Sequence, residues 1–472
     1  MTSVVRLIAL VLALTGVAAL LPALVSARWG EGFAPIFLAT TLGCVFFAGA
    51  MRFASDGFRG RARRLDIFAA LAALWLIVPV MATPAIASAA GLPLSEAWFE
   101  ALSAFTTTGF SQVERGPRSL FVWFCLLQWS GGLLTIVSGF AVLAPAGIGG
   151  LPDRAGQRLD EREAVDLAGA MKDVAPIYLG AFIAAFVVLL LAGNTPYAAF
   201  SLASAVTSSG AHLPPEAKLA LTEGTATRFV MLPFFLWAAT SVRWHRALAS
   251  RRIHAAPEQG ESLVLIAYWA VLGVMLAVLL FDVGPRIPVP VALSEGLFAA
   301  ASLISTSGIE PASGVFAALP QGLLNAVVLV GGGALSVAGG LKILRLRALL
   351  LRTQADLTRL ISPNIVQPAR TGEGGVGSAM RGVWVGTIAL FATLALALVL
   401  IAGGAPSFEA ALTAAVAATT NTGPLYDAAG QNWPPLSSYP ALPMAGAAFA
   451  MIAGRIEIIG AFVLIHLAFW RT

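Results

Sequence analysis

One short motif occurs four times along the chain, and each copy places small polar residues directly before a glycine. The copies are Ala104–Phe110 (AFTTTGF), Val206–Ala211 (VTSSGA), Ile304–Ile309 (ISTSGI) and Ala418–Pro424 (ATTNTGP). Their glycines, Gly109, Gly210, Gly308 and Gly423, are separated by 101, 98 and 115 residues. Self-similarity at near-equal spacing indicates one structural unit in several copies, so we predict a fourfold internal repeat.

The composition places these repeats in a membrane. The chain is 58% hydrophobic and only 11% charged, and its mean hydropathy is +0.84. Soluble domains carry about 25% charged residues. Apolar runs of about 18 residues or more recur, and each is long enough to cross the hydrocarbon layer. Cys44 and Cys125 both lie inside such runs, so we predict neither a disulfide framework nor a metal site.

The apolar runs divide the chain into two leading spans and four copies of one unit. In each unit a span precedes a helix of about a dozen residues, too short to cross, which is followed by the motif and a second span. We therefore predict an all-α polytopic membrane protein, with four helix–re-entrant pore loop–helix units around one pore. The ten predicted spans are Leu7–Val25, Pro35–Met51, Leu65–Ala90, Ser119–Leu143, Pro176–Ala192, Phe229–Ser241, Ser262–Phe281, Gly322–Leu341, Val383–Ala402 and Pro443–Leu467.

The same division gives the segments of the chain. They are residues 1–64 for the leading pair and 65–150, 151–255, 256–360 and 361–472 for pore repeats 1 to 4. The short helices are Pro93–Phe105, Thr195–Val206, Ser294–Ile304 and Ser407–Ala418, with Ser95, Thr195, Ser294 and Ser407 as predicted N-caps. The first span ends in Val-Ser-Ala, so a cleaved signal peptide is the alternative interpretation of that segment.

The basic residues predict the topology. With the N-terminus inside, the cytoplasmic segments carry 22 of the 29 Lys and Arg residues, six lie outside, and Arg455 lies within a span. Such an excess marks the cytoplasmic side. It predicts cytoplasmic N- and C-termini and places all four motifs on the outer side of the membrane.

Re-entrant loops of this composition suit ion conduction. Irregular backbone at membrane depth is tolerated where it lines a water-filled cavity, and rings of carbonyl oxygens can replace the hydration shell of an ion. Glycine permits the positive φ that turns successive carbonyls toward one axis. Each short helix would also direct its partially negative C-terminus at a cation. The alternative interpretation is that the small residues only allow close helix packing.

The chain resembles the potassium-uptake pore subunits of the Trk/Ktr/HKT superfamily, and within it the bacterial TrkH-like branch. The resemblance extends from about residue 30 onward. It depends on the four motifs, on Gln128–Gly132 (QWSGG), on Gly331–Lys342 (GGGALSVAGGLK) and on Gly454–Glu457 (GRIE). It implies a potassium pore in the bacterial inner membrane, a homodimer, and a cytosolic nucleotide-binding regulatory subunit of the TrkA-like kind.

The resemblance also implies a selectivity filter whose carbonyls hold K⁺. The implied filter residues are Thr107, Thr108 and Gly109, Ser208, Ser209 and Gly210, Thr306, Ser307 and Gly308, and Asn421, Thr422 and Gly423. All four glycines are present, which in the family accompanies selectivity for potassium. No cofactor is expected besides the transported K⁺, and no nucleic-acid partner.

A gate below the filter is implied as well. Its residues are Gly331, Gly332, Gly333, Gly339, Gly340, Lys342 and Arg455. The alternatives are that Gly331–Lys342 is a small-residue packing face, and that Arg455 forms a purely structural ion pair with a neighbouring carboxylate. Glu457 is two residues further on, roughly 200° around a helix, so we expect it and Arg455 to face different partners. His212, after the second motif, reads as a solvated residue of the outer mouth.

Other functions remain open at this stage. A sodium or non-selective cation pore is one, since serine and asparagine replace threonines in two motifs. A cation-coupled symporter is another, although Glu457 is the one loose candidate for a carboxylate on the path. A membrane-embedded enzyme would need converging ionisable groups inside the spans, and these are too few and too scattered. We therefore expect no enzymatic activity.

Overall fold

The fold is presented as a computed structural model, which describes residues 2–55, 64–143, 167–251, 259–283, 288–361, 373–430 and 432–456. The regular elements in these ranges are helices. The leading segment contains α1 (Thr2–Ala18), α2 (Leu20–Trp29) and α3 (Ala34–Ala54), and repeat 1 contains α4 (Arg64–Ala90), α5 (Leu94–Phe105) and α6 (Arg118–Ser138). This all-helical membrane architecture confirms the predicted fold class.

The other three repeats follow the same order with additional short helices. Repeat 2 contains α7 (Leu167–Leu191), α8 (Pro196–Ser208), α9 (Pro215–Glu223), α10 (Thr225–Ala239) and α11 (Val242–Ala249). Repeat 3 contains α12 (Gln259–Val283), α13 (Val289–Ile304), α14 (Gln321–Val330) and α15 (Ile343–Ile361). Repeat 4 contains α16 (Glu373–Ala402), α17 (Phe408–Thr420), α18 (Pro424–Asp427) and α19 (Ala441–Arg455).

Within the described ranges, seven helical segments are long and apolar enough to cross a membrane. They are Val4–Trp29, Ala34–Ala54, Ala69–Ala90, Arg118–Ala141, Gly169–Leu191, Gln259–Asp282 and Met380–Ala402. These correspond to seven of the ten predicted spans. The second spans of repeats 2, 3 and 4 differ from the predicted continuous helices. In repeat 2, α10 and α11 meet at a bend of 109°, and in repeats 3 and 4 the helices α14 and α19 are shorter. The predicted continuation of α19 to Leu467 lies outside the described residues.

The leading helices are part of the packed core. Leu12 and Ala19 in the first span are completely buried, in the same cluster of apolar side chains as Trp75 of α4 and Trp123 of α6. A segment removed on export would leave those surfaces uncovered. The packing therefore favours a membrane span over a cleaved signal peptide for the first apolar run.

Two of the four predicted N-caps are confirmed. The Thr195 hydroxyl accepts a bond from the Ala198 amide, and the Ser407 hydroxyl accepts one from the Ala410 amide. Ser95 and Ser294 are not caps, because α5 and α13 begin earlier, directly after prolines with extended backbone. Proline has a fixed φ and no amide hydrogen to satisfy, so it suits the start of a helix, and here it takes the place of the polar cap.

The short helices α5, α8, α13 and α17 form the centre of the molecule. Their last turns are lined almost entirely by fully buried alanine, serine, threonine and leucine residues. Small side chains let four helix ends approach one another closely. The motif loops that follow these helices are therefore brought to a single place, and that place is the candidate site.

Candidate functional site

The four motif loops form a closed ring in the order of the sequence. Loop 2 contacts loop 3, because the Ser307 hydroxyl donates to the carbonyl oxygen of Gly210 at 3.0 Å. Loop 4 contacts loop 1, because the Gly423 amide donates to the Thr108 carbonyl at 2.6 Å. The side-chain amide of Asn421 reinforces this closure by donating to the Thr108 hydroxyl at 2.9 Å.

The remaining two junctions of the ring are formed by close packing. A Cβ placed on Gly109 of loop 1 would lie 2.8 Å from the Cβ of Ala211 in loop 2. A Cβ on Gly308 of loop 3 would lie 2.9 Å from the Cγ2 of Thr422 in loop 4. Both glycines also have positive φ, 87° and 69°, so any side chain at these two positions would meet both backbone strain and a neighbouring loop.

Each pore helix ends in the same backbone conformation. A left-handed residue follows every helix, directly in loops 2 and 4 and after one further residue in loops 1 and 3: Ser209 (φ 58°), Asn421 (φ 56°), Thr107 (φ 54°) and Thr306 (φ 57°). The next residue donates its amide to the carbonyl five positions back, which is the Schellman arrangement that ends many helices. Glycine normally occupies the left-handed position, and a β-branched residue there is a strained outlier that usually indicates a functional constraint.

This repeated geometry corrects the register of loop 2. The residues whose amides reach five positions back are Thr108, Gly210, Ser307 and Thr422. Gly210 thus corresponds to the residue before the glycine in the other loops, and Ala211 occupies the place of Gly109, Gly308 and Gly423. Matching glycine to glycine in the sequence displaced loop 2 by one residue, because α8 continues to Ser208 before the chain turns.

The side chains of the loops bond behind and between the loops. The Thr106 hydroxyl donates to the Leu102 carbonyl at 2.7 Å, and the Ser103 hydroxyl donates to the Phe110 carbonyl at 2.8 Å. The Ser209 hydroxyl donates to the carbonyl of Ser305 in the next loop. These bonds occupy the hydroxyl donors with backbone carbonyls, and they hold the loop backbones in a defined orientation.

Arg455 connects the inner end of the ring to the intramembrane loop Gly331–Lys342. It is 2% exposed, and its guanidinium donates to the carbonyl of Thr106, the hydroxyl of Thr107 and the carbonyl of Val337. Its partners among the described residues are therefore neutral oxygens rather than a carboxylate. Glu457, the candidate for a carboxylate on the path of a symporter, lies outside the described residues.

The intramembrane loop lies directly beneath the ring. The Gly339 amide donates to the Thr306 hydroxyl at 2.8 Å. A Cβ on Gly339 would lie 2.8 Å from the carbonyl carbon of Thr420, and a Cβ on Gly340 would lie 2.8 Å from the Cα of Gly331. Glycine is required at these positions because backbones meet there.

The rest of the predicted gate residues line or flank the same region. Gly332 and Gly333 are buried in the loop, and the ammonium group of Lys342 donates to the Ala338 carbonyl. A small cavity of about 20 Å³ remains between the loop, Lys342 and Arg455, which is room for about one water molecule. The structure therefore brings the predicted gate residues together below the ring.

The outer mouth contains a polar cluster that the sequence did not reveal. Glu100 on α5 is completely buried and accepts bonds from the Ser111 hydroxyl at 2.9 Å and the Gln112 amide at 2.7 Å. His212 is 2% exposed, with its Nε2 3.6 Å from the carboxylate of Glu100. The expectation that His212 is solvated is wrong, because its imidazole packs against the side chain of Phe124, with the two ring centroids 4.8 Å apart.

Asp427 lies in the same mouth, after the fourth loop. Desolvation by the surrounding protein, followed by the carboxylate of Glu100, raises its pKa to about 7, although part of the side chain reaches solvent. The Ser111 amide and the charge of Lys218 act against this rise, because both lower the pKa of Asp427. Sequence spacing did not single out Asp427, since it stands alone in the sequence and gains its acidic neighbour only when loops 1 and 4 meet.

An all-helical membrane protein with four re-entrant loops closed into one ring belongs to the class of pore-loop cation-transport proteins. The chain is a member of the TrkH family, described as cation transport proteins, whose model matches residues 35–468. The match includes the ring and the intramembrane loop, and it begins within α3, after α1 and α2.

Individual relatives agree with this assignment. The chain is 28% identical to the Trk system potassium uptake protein TrkH of Vibrio parahaemolyticus, over 100% of this chain and 99% of that protein. It is 29% identical to the Trk system potassium uptake protein TrkI of Halomonas elongata, over 84% of this chain and 82% of that protein. The crystal structure of the potassium transporter TrkH from Vibrio parahaemolyticus matches the fold with a TM-score of 0.85 at 26% identity, covering 100% of this chain and 99% of that one.

Proposed function

We propose that the protein carries K⁺ into the cell across the bacterial cytoplasmic membrane, with both termini in the cytoplasm. The observation that carries the proposal is the closed ring of four loops, each turned by a left-handed residue at the end of a short helix. Four partially negative helix ends and a ring of backbone oxygens favour a dehydrated cation on the axis. The relatives named as potassium uptake proteins support the choice of ion.

The proposed filter follows the register of the structure. It consists of Thr107, Thr108 and Gly109 in loop 1, Ser209, Gly210 and Ala211 in loop 2, Thr306, Ser307 and Gly308 in loop 3, and Asn421, Thr422 and Gly423 in loop 4. The carbonyls of Thr108 and Gly210 also accept bonds from neighbouring loops. A carbonyl oxygen has two lone pairs, so each of them can still coordinate an ion.

A pore that also admits Na⁺ is the second candidate. The specific observation in its favour is Ala211, which places a methyl group where the other three loops have glycine. This group lies against Gly109, so it restricts how closely loops 1 and 2 approach. The width of the outermost ring, and with it the preference between the two ions, would then differ from that of a ring with four glycines.

Flux into liposomes distinguishes these candidates. The purified protein is reconstituted in vesicles loaded with K⁺, Na⁺ or choline, and uptake of ⁸⁶Rb⁺ or ²²Na⁺ is followed. The proposal predicts accumulation of ⁸⁶Rb⁺ driven by internal K⁺, with little accumulation of ²²Na⁺. Equal accumulation of both ions supports the second candidate, and no uptake above protein-free vesicles contradicts both.

The intramembrane loop and Arg455 form the proposed gate. The loop lies across the inner end of the ring, and the positive charge of Arg455 is held between the two. A cation leaving the filter must pass both. The glycine content of the loop supports a movable segment, since glycine permits a large change of backbone angles.

A cytosolic nucleotide-binding regulatory subunit is part of the proposal. Its support is the basic inner side, where α15 directly follows the intramembrane loop and carries Arg345, Arg347 and Arg352. A soluble protein that moved α15 would act on the loop without an intermediate. Co-purification from the native host, followed by flux with added adenine nucleotides, tests this point, and flux that ignores nucleotides in a preparation without a soluble partner contradicts it.

The homodimer is likewise a proposal. Its support is the outward apolar face of α15, where Leu350, Leu360 and Ile361 are 61%, 79% and 81% exposed on a helix that is amphipathic and basic. A second copy would cover such a face. Light scattering of the detergent-solubilised protein is expected to give the mass of two chains, and the mass of one chain contradicts the dimer.

A further inference from the structure

The bend between α10 and α11 leaves backbone carbonyls without partners in their own helix. In a continuous helix the carbonyl of Ala238 would accept the amide of Val242, and that of Ala239 would accept the amide of Arg243. The chain instead turns by 109° after Ala239 and α11 begins at Val242. Carbonyls at the end of a helix must find other donors, particularly in a buried position.

The intramembrane loop supplies those donors. The Gly333 amide donates to the Ala239 carbonyl at 2.7 Å, and the Val337 amide donates to the Ala238 carbonyl at 3.2 Å. The Val242 amide, released by the bend, donates in return to the Leu335 carbonyl at 3.3 Å. Three backbone hydrogen bonds therefore join the second span of repeat 2 to the intramembrane loop of repeat 3.

We propose that the α10–α11 bend is a latch that holds the intramembrane loop beneath the ring, and that straightening of the bend releases the loop. The inference rests on the proposed function, in which that loop is the gate. Its basis is competition for the same groups: the Ala238 carbonyl and the Val242 amide can bond each other in a straight helix or bond the loop in the bent one. Such exclusive pairing gives two discrete arrangements, which a switch requires.

Thr240 and His245 hold the bend in place. The Thr240 hydroxyl bonds the ring nitrogen Nε2 of His245 at 2.7 Å across the bend. The imidazole ring also stacks on Trp237 of α10, with centroids 5.0 Å apart and an interplanar angle of 15°. Both bonded residues are buried, at 2% and 7% exposure. They are positioning residues, because their side-chain bonds and ring contacts join α10 to α11 and so act through the angle between the two helices.

The latch can be moved from the cytoplasmic side. Beyond His245, α11 is exposed, and Arg246 pairs there with Asp173 of α7 at 2.5 Å. Displacement of α11 toward the axis of α10 would break the Thr240–His245 bond and return the carbonyls of Ala238 and Ala239 to their own helix. The loop would then lose three bonds together rather than one at a time.

The first test weakens the latch with a change of nearly constant shape. Thr240→Val removes the hydroxyl and keeps the branched side chain, whereas Thr240→Ser keeps the hydroxyl and serves as the matched control. The Thr240 hydroxyl also donates to the Leu236 carbonyl at 2.7 Å within α10, so its bond to His245 is the one that crosses the bend. Loss of that bond shifts a two-state equilibrium about fivefold, so ⁸⁶Rb⁺ flux should rise by about that factor in Thr240→Val and stay near the wild-type value in Thr240→Ser. The ratio of Rb⁺ to Na⁺ flux should not change, because the ring is untouched.

The second test strengthens the latch, so the expected change in ⁸⁶Rb⁺ flux is a decrease. Proline at the first position of α11 suits the bend, since the preceding residue, Ser241, is already extended at ψ 132°. In a straight helix the same proline would lie in the interior, which is strongly disfavoured. Val242→Pro also removes the amide that bonds Leu335, a loss of about fivefold in the opposite direction, but the interior penalty of proline in the straight helix is larger. ⁸⁶Rb⁺ flux should therefore still fall by about tenfold or more in Val242→Pro, while Val242→Ala, which keeps the amide, should not change it.

Hydrogen exchange makes the inference testable without ion flux. Amide exchange in a peptide covering residues 331–342 should speed up in Thr240→Val and slow down in Val242→Pro, both at wild-type melting temperature. Faster exchange with higher flux in Thr240→Val, together with slower exchange and lower flux in Val242→Pro, supports the latch. If exchange and flux match those of the controls while the wild type conducts K⁺, the latch is wrong and the proposed function stands. If the wild type does not conduct, the proposed function fails, and unchanged exchange in both variants then overturns the latch as well.

Discussion

Replacement of Arg455 by alanine should increase K⁺ flux in a folded protein. The guanidinium is buried between the Thr106 carbonyl, the Thr107 hydroxyl and the Val337 carbonyl. An ion held by the neighbouring carbonyls of loop 1 would lie about 6 Å from this charge, and at an effective dielectric constant of about 20 the repulsion is roughly 3 kcal/mol. At about 1.4 kcal/mol for each tenfold change in rate, complete removal of this barrier corresponds to an increase of about 100-fold.

The measured increase should lie below that limit and should depend on charge. Arg455→Gln removes the charge but keeps hydrogen-bond donors, and Arg455→Lys keeps the charge but loses the planar fork that reaches three oxygens. If electrostatic repulsion dominates, flux in liposomes follows the order alanine and glutamine above lysine and wild type. Since the filter is unchanged, the ratio of K⁺ to Na⁺ flux should equal that of the wild type.

Thermal unfolding on the same preparations separates a barrier from a purely structural role. Loss of the three bonds should lower the melting temperature in Arg455→Ala, whatever its effect on flux, because a buried network is broken. The reasoning predicts a lower melting temperature together with faster flux. Unchanged or slower flux in protein that remains folded would refute the barrier and leave Arg455 as a structural link between ring and loop.

Three further predictions concern the ring and its outer mouth. Gly109→Ser or Gly308→Ser should reduce the ratio of K⁺ to Na⁺ flux at least severalfold, because each has positive φ and a neighbouring loop within 2.9 Å of a new Cβ; an unchanged ratio in both variants contradicts the filter assignment. Ala211→Gly should raise the same ratio, and a lower ratio would mean that the register assigned to loop 2 is wrong. Asp427, with its pKa raised to about 7, is ionised above that pH and neutral below it, so external acidification from about pH 8 to pH 6 should raise the K⁺ concentration for half-maximal flux. In Asp427→Asn that concentration should be independent of pH over the same interval, and a persisting shift would assign the effect to another group.

The overall architecture could be predicted from the sequence because the membrane leaves few alternatives. Every backbone group in hydrocarbon must be paired, so long apolar runs become helices, and a short apolar run before a hydroxyl–glycine motif becomes a re-entrant helix. The bends are harder to predict. The sequence of repeat 2 contains no glycine or proline between Ala239 and Val242, and the backbone groups freed by the 109° turn bond the loop of repeat 3, which is distant in sequence.

The positions of the four loops were predictable to within one residue. The motifs identified the four loops, but a run of small residues does not specify where a helix ends. In loop 2 the helix continues to Ser208, which shifts Ser209 into the left-handed position and Ala211 into the place of the glycine. The buried Glu100 and His212 were missed for a related reason, since each acquires its partner from a different repeat only when the ring closes.

The most direct test of the central claim is the position of bound ions. Crystals soaked with Rb⁺ or Tl⁺ give anomalous scattering, which locates these substitutes for K⁺ without assumptions about the protein. The ring predicts anomalous peaks on its axis, at the level of Thr107, Ser209, Thr306 and Asn421 and of the residues that follow them. Peaks confined to the outer mouth near Asp427, or no peak on the axis at occupancies that saturate flux, would contradict the assignment of the four loops as the filter.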